Sequence, residues 1–139
     1  MANSRTKGQQ GEHLARAVME SITGEKWRRS VQYNGAGAVG DIIPVDPESD
    51  WTLAHVEVKN VAGMELGNHL WRSALAQAER DRPAGSFTVL LWRVTPRLWA
   101  VATWDSQLGA WTTYTADEAA PALRRKLEWA KAERDGRAA

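Results

Sequence analysis

Gly40-Asp41-Ile42-Ile43-Pro44-Val45, followed by Asp46-Pro47-Glu48-Ser49-Asp50 and by Trp51-Thr52-Leu53-Ala54-His55-Val56-Glu57-Val58-Lys59, is the stretch from which the fold is read. The first part is a short apolar strand, the second carries the Asp, Pro and Ser of a turn, and the third runs back as a partner strand. Together they predict a β-hairpin. Successive side chains on a strand point to opposite faces. Ala54, Val56 and Val58 therefore share one face, and Leu53, His55, Glu57 and Lys59 share the other. A turn at 46–50 brings Asp41 to the level of Glu57 or a little beyond it.

Outward from the hairpin, helical spacing of Leu14, Ala15, Val18, Met19 and Ile22 predicts an amphipathic helix from Gly8 to about Ile22, stopped by Gly24. Ser30 to Tyr33 reads as a short strand, and Asn34-Gly35-Ala36-Gly37 as a flexible loop on the substrate side. A second helix is expected from about Leu66 to Asp81, with Leu66, Leu70, Ala74 and Gln77 on one stripe and Pro83-Ala84-Gly85 ending it. Ser86 to Val94 and Leu98 to Trp104 read as a hairpin around Thr95-Pro96-Arg97, and Trp111 to Tyr114 as a last short strand. A helix from Ala116 closes the chain, with Pro121 in its first turn and fraying from Gly136. The order predicts an α/β fold, a mixed β-sheet flanked by helices.

With 139 residues, 43% hydrophobic and 25% charged, the chain has apolar material for one core. We read a single domain over 1–139, with its core at about 7–115 and a C-terminal helix at about 116–135. No apolar run is long enough to cross a bilayer, and the first residues lack the apolar middle of a secretory signal, so a cytoplasmic protein without membrane association is expected. The absence of cysteine excludes disulfides, thiolate zinc sites, Fe–S clusters and cysteine nucleophiles. Any metal must sit on oxygen or imidazole. The net charge of +1 does not announce a nucleic-acid binder, but basic residues are knotted at Lys26, Arg28 and Arg29, at Arg80 and Arg82, at Arg93 and Arg97, and at Arg124, Arg125 and Lys126. Such knots contact phosphates only where the fold gathers them; scattered surface charge is the other reading, favoured for the last knot. The 8 tryptophans fit core or interface packing for the most part, with base stacking as the alternative.

Hydrolysing a phosphodiester at neutral pH needs an activated water, stabilised phosphate charge and help for the leaving oxygen, all of which a carboxylate-bound divalent cation supplies. The hairpin places Asp41 near Glu57, where two carboxylates can hold one Mg2+, an ion that prefers oxygen ligands and keeps several waters. Lys59 shares the face of Glu57, where its ammonium can stabilise phosphate charge or orient the attacking water.

The series Gly40-Asp41-Ile42-Ile43-Pro44, His55-Val56-Glu57-Val58-Lys59 and Leu75-Ala76-Gln77-Ala78 resembles the core of the PD-(D/E)XK nucleases, as D, ExK and a helical Q. Lys7-Gly8 followed by Glu12 resembles the opening of the phage-type Holliday junction resolvases within that superfamily. The resemblance covers roughly Lys7 to Val101 and departs from the pattern at Gly40, where the superfamily's name has Pro. It implies a restriction-endonuclease-like core and a metal-dependent endonuclease acting on DNA four-way junctions as a homodimer, in a host cytoplasm if phage-encoded. It implies Asp41 and Glu57 as Mg2+ ligands, with Mn2+ a possible substitute, Glu12 as an auxiliary acid and the Val58 carbonyl as a further ligand. Lys59 is then the charge stabiliser and Gln77 a positioning residue. Two other functions stay open: a nuclease of the same superfamily on linear or flapped DNA, and a non-catalytic nucleic-acid-binding module.

Each residue also has a plainer reading. Asp41 can end a loop, and Glu57 with Lys59 can be a surface pair. Glu12 can reflect the preference of first helical turns for acids. Arg16 is expected to pair with Glu20 four residues on rather than meet DNA. His13, His55 and His69 match no zinc spacing and are read as incidental or close to substrate.

Overall fold

The computed structural model describes residues 4–30, 40–60, 69–95, 98–105 and 108–138, with side chains from residue 10 to 136. Helix α1 spans Ser4–Thr23, strand β1 Trp27–Arg29, β2 Ile42–Pro44 and β3 Ala54–Lys59; α2 covers His69–Asp81, β4 Phe87–Thr95, β5 Leu98–Asp105, β6 Ala110–Thr115 and α3 Ala116–Ala138. The six strands form one sheet in the order β1-β2-β3-β4-β5-β6. Only β3 and β4 pair in parallel, which requires a crossover, and α2 lies on that crossover. The expected α/β architecture, a mixed sheet flanked by helices, is the one found.

Strand alternation sorts the core into two layers. On one face Val56, Val89, Leu91 and Val101 pack with Ala15, Met19 and Ile22 of α1 and with Ala119, Leu123 and Leu127 of α3. On the other, Leu90, Trp92 and Ala102 pack with Ala74 and Leu75 of α2. Full burial of one such aliphatic side chain is worth about 1.5–3 kcal/mol, so both faces must be covered, and β4, packed on both, has a continuous apolar run from Val89 to Trp92. Trp27, Trp51, Trp92 and Trp99 are buried, whereas Trp104 and Trp129 are exposed. Packing is thus the use of half the tryptophans outright, and Trp71 adds an edge-on contact to Trp92 at 6.4 Å between ring centroids.

Several boundaries differ from expectation, each for a local reason. Strand β3 starts at Ala54 rather than Trp51, because Asp50–Leu53 forms a 3₁₀ turn capped by Ser49, whose Oγ accepts the Trp51 N–H, and this turn buries Trp51. A first strand lies at Trp27–Arg29, just before Ser30; it is anchored by Glu20, which accepts the Trp27 N–H, and by Thr23, which accepts from Trp27 Nε1 at 2.9 Å, while the strand expected over 30–33 lies, beyond Ser30, outside the described residues. Glu20 is therefore not the partner of Arg16, whose guanidinium instead meets His13 Nδ1 at 2.6 Å. Leu14 is exposed rather than part of the core stripe of α1. Gly24 ends that helix as expected, with φ 76° and its N–H on Glu20 O. Helix α3 starts at Ala116, where the Thr115 hydroxyl meets the Glu118 carboxylate, so Pro121 falls beyond the first turn, and the helix continues through Gly136. The loop at 34–37, the start of the second helix at Leu66, and the turn at Pro96 and Arg97 lie outside the described residues. No described helix is long and apolar enough to cross a membrane.

Candidate active site

The pairing of β2 with β3 sets the acids. Ile42 is opposite Val56 in an antiparallel pair, so Asp41, immediately before β2, lies beside the Val56–Val58 stretch of β3, where its carboxyl interacts with that of Glu57. Asp41 is fixed at both ends of the residue. Its N–H donates to Val56 O at 2.7 Å, and its side-chain Oδ2 accepts the Val58 N–H at 2.7 Å. Ser30 holds the segment from the other side: its N–H donates to Asp41 O at 3.0 Å and its hydroxyl donates to Gly40 O. Glycine at position 40 follows from this closeness. A Cβ there would stand 2.6 Å from Val56 O and 2.8 Å from Val56 N, inside the backbone of the neighbouring strand.

Glu57 is buried with His55 and Lys59 on either side along the same face of β3. His55 Nε2 lies 2.9 Å from Glu57 Oε1, with only 2% of the histidine side chain exposed. Lys59 Nζ donates to Gln77 Oε1 on α2 at 3.3 Å. Gln77 is exposed, and the buried side of its helix is Ala74, Leu75 and Ala78, so the expected apolar stripe through Gln77 is displaced by one position. Its link to the site is the lysine.

Glu12 enters from α1. Because that helix begins at Ser4, Glu12 is well past its first turn, and the helix-dipole account of an acid there does not apply. Its negative charge contributes to the shift of Asp41, and its Oε2 lies 2.6 Å from Arg29 Nε. Gly11 makes the approach possible, since a Cβ at that position would sit 2.7 Å from Asn60 Cβ just past the end of β3.

The electrostatics divide the two facing acids. Burial, then the charge of Glu57 and a hydrogen bond with it, then the charge of Glu12 push Asp41 from 3.8 up to about 7, against the opposing Val58 N–H. Burial also works to raise Glu57, but the contacts of His55 and Asp41 and the charge of Lys59 outweigh it and hold that carboxyl below its ordinary value. Two carboxylates this close do not both ionise unaided; a shared proton or a cation must lie between them. Their oxygen-only donor set fits Mg2+ or Mn2+. Among the described residues no group of three or more His, Cys, Asp or Glu forms a metal cage. The site's own contribution is the Asp41–Glu57 pair, with Glu12 held by Arg29 and Val58 engaged through its N–H. His13 and His69, both exposed, do not join His55. A groove of about 470 Å3 between β5, β6 and α3, lined among others by Tyr114, Arg125 and Trp129, contains none of these acids.

Sequence reading missed three residues here. Ser30 carries no signal, because its role depends on a pairing across residues that follow it. Arg29 was one member of a basic knot, and only the fold sets it on Glu12. His55 was visible on the face of Glu57, but its burial was not.

The family model described as "Phage putative PDDEXK endonuclease" matches residues 3–102. That span runs from α1 through most of β5 and includes Glu12, Asp41, Glu57, Lys59 and Gln77. No curated protein and no solved structure matches the chain.

Proposed function

The chain belongs to the family of phage PDDEXK endonucleases, and from that premise we propose that it is a metal-dependent DNA endonuclease that resolves four-way junctions. The observation that carries the site is the contact between the carboxyls of Asp41 and Glu57, with Asp41 bonded to the backbone of β3 on either side of Glu57 and Lys59 on the same strand face as Glu57. A divalent cation held by Asp41 and Glu57, Mg2+ in the first instance, supplies Lewis-acid stabilisation of the phosphate and a nucleophile at neutral pH. Asp41 presents one oxygen to the Val58 N–H, which fixes its rotamer. Glu57 stays ionised between His55 and Lys59. Lys59 offers its ammonium to the charge that develops on the phosphate, and Gln77 keeps that long side chain from wandering. Glu12 is an auxiliary acid that Arg29 restrains in the absence of substrate, and Arg29, half exposed, is placed to meet a backbone phosphate.

Junction specificity is supported by the resolvase-like opening of the sequence at Lys7, Gly8 and Glu12. A homodimer follows from the same reading, since two symmetric strands must be cut. The test is cleavage of a labelled four-way junction against duplex and flapped DNA, with Mg2+ or EDTA, by the wild type and by Glu57→Ala. Paired symmetric cuts that need both metal and Glu57 are expected. Metal-dependent cutting without junction preference would leave a general nuclease of this family. Binding without cutting would leave a nucleic-acid-binding module. Sedimentation with junction DNA should give a dimer; a monomer would overturn that part of the proposal.

A further inference from the structure

His55 is the one histidine the fold buries, and it is buried against a carboxylate. Its side chain is 2% exposed, and its Nε2 lies 2.9 Å from Glu57 Oε1, a close approach without the alignment of a full hydrogen bond, and has no hydrogen-bond partner among the described residues. An imidazole nitrogen left unsatisfied in such a place costs about 1–3 kcal/mol, so a position that only needed filling would be better served by an apolar residue. The neighbouring positions on β3 take that course: Ala54 and Val56 are buried and apolar. His55 and Glu57 are two residues apart and so on one face, and Lys59 continues the row, which leaves Glu57 with a donor on each side.

We propose that His55 is a positioning residue for Glu57: its Nε2–H holds Oε1 and leaves the second carboxylate oxygen turned towards Asp41 and a cation. The inference rests on the metal-site reading given above. It assigns His55 no contact with DNA and no part in proton transfer during cleavage. Partners that orient a metal-binding side chain are typically worth about 10–100-fold in metal affinity when removed, and that is the size of effect expected here.

The test compares His55→Gln with His55→Met, two side chains of nearly equal length and volume of which only the first has a donor. Mn2+ binding is measured by calorimetry or by loss of the free-ion EPR signal, in the wild type, both variants and Glu57→Gln, with thermal melting recorded for each. The proposal expects about tenfold or more weaker Mn2+ binding in His55→Met and substantial recovery in His55→Gln, at similar melting temperatures. Should His55→Met not fold, His55→Leu takes its place. Equal affinity in wild type and the donor-free variant, while Glu57→Gln has lost binding, overturns the role of His55 alone. Equal weakening by Gln and Met also overturns it, since the donor would then be irrelevant. Wild-type binding that Glu57→Gln leaves unchanged overturns the metal site itself and the role of His55 with it.

Discussion

Asp41 accepts the backbone N–H of Val58 at 2.7 Å, so the first acid is tied directly to the strand that carries the second. This bond separates what Asp41 contributes to the fold from what its charge contributes to chemistry. Asp41→Asn keeps an acceptor for Val58 and should melt close to the wild type, yet lose metal-dependent cleavage. Asp41→Ala removes the acceptor as well and should cost about 1–3 kcal/mol more stability by leaving the Val58 donor unpaired. Thermal melting of the two variants with a cleavage assay checks both halves. Equal stability of Asn and Ala would show the bond to be unimportant.

The raised value of Asp41 sets a pH dependence in the metal-free protein. Between its ordinary 3.8 and about 7 the native state holds a proton that the unfolded chain has released. Stability should therefore fall as pH rises through that window, by no more than about 1.4 kcal/mol per unit for one proton. Glu57 acts in the opposite sense: its lowered value adds stability above the ordinary 4.5, lost only as pH falls below it. Urea melts from pH 5 to 8 isolate the Asp41 effect, and Asp41→Asn should flatten the slope. Saturating Mg2+ or Mn2+ should also flatten it by displacing the shared proton.

Gly40→Ala should lower both stability and cleavage. Its Cβ would meet the backbone nitrogen and oxygen of Val56, which cannot rotate away, so β2 must shift from β3 and carry Asp41 with it. A cost of about 1–3 kcal/mol is expected from overpacking. Gly136→Ala is the control, since nothing lies within 4 Å of a Cβ there. Wild-type melting and cleavage in Gly40→Ala would contradict the close approach.

Lys59 and Gln77 should differ in degree. Lys59→Ala is expected to lower kcat by about 10²–10³-fold, as for loss of a group that stabilises transition-state charge, with little change in melting. Gln77→Ala removes only the tether on the ammonium and should cost much less, with the larger part of its effect absent in a Lys59→Ala background. Single-turnover cleavage by the two single variants and the double variant measures this coupling. Additive losses would mean that Gln77 acts elsewhere.

The local sequence determined the elements and the order of the acids. Alternating Ala54, Val56 and Val58 against His55, Glu57 and Lys59 was enough to assign Glu57 and Lys59 to one face, because strand alternation is a property of the backbone and independent of neighbours. The turn chemistry at 46–50 was enough to return the chain so that Asp41 lies beside the part of β3 that carries Glu57. Gly24 and Pro83 to Gly85 marked helix ends for the same local reason, a backbone conformation few residues accept. Tertiary structure alone decided how deeply each group is buried and what it meets. That Glu12 faces Arg29, that Ser30 grips Gly40 and Asp41, and that His55 is closed off against Glu57 all depend on the packing of α1 and the crossover helix around β3. The same packing pushes Asp41 up and holds Glu57 down, although the two acids lie side by side at neighbouring strands. Pattern and spacing act through neighbours along the chain, whereas desolvation and charge act through neighbours in space, and those are fixed only once the sheet and its two layers of helices have closed.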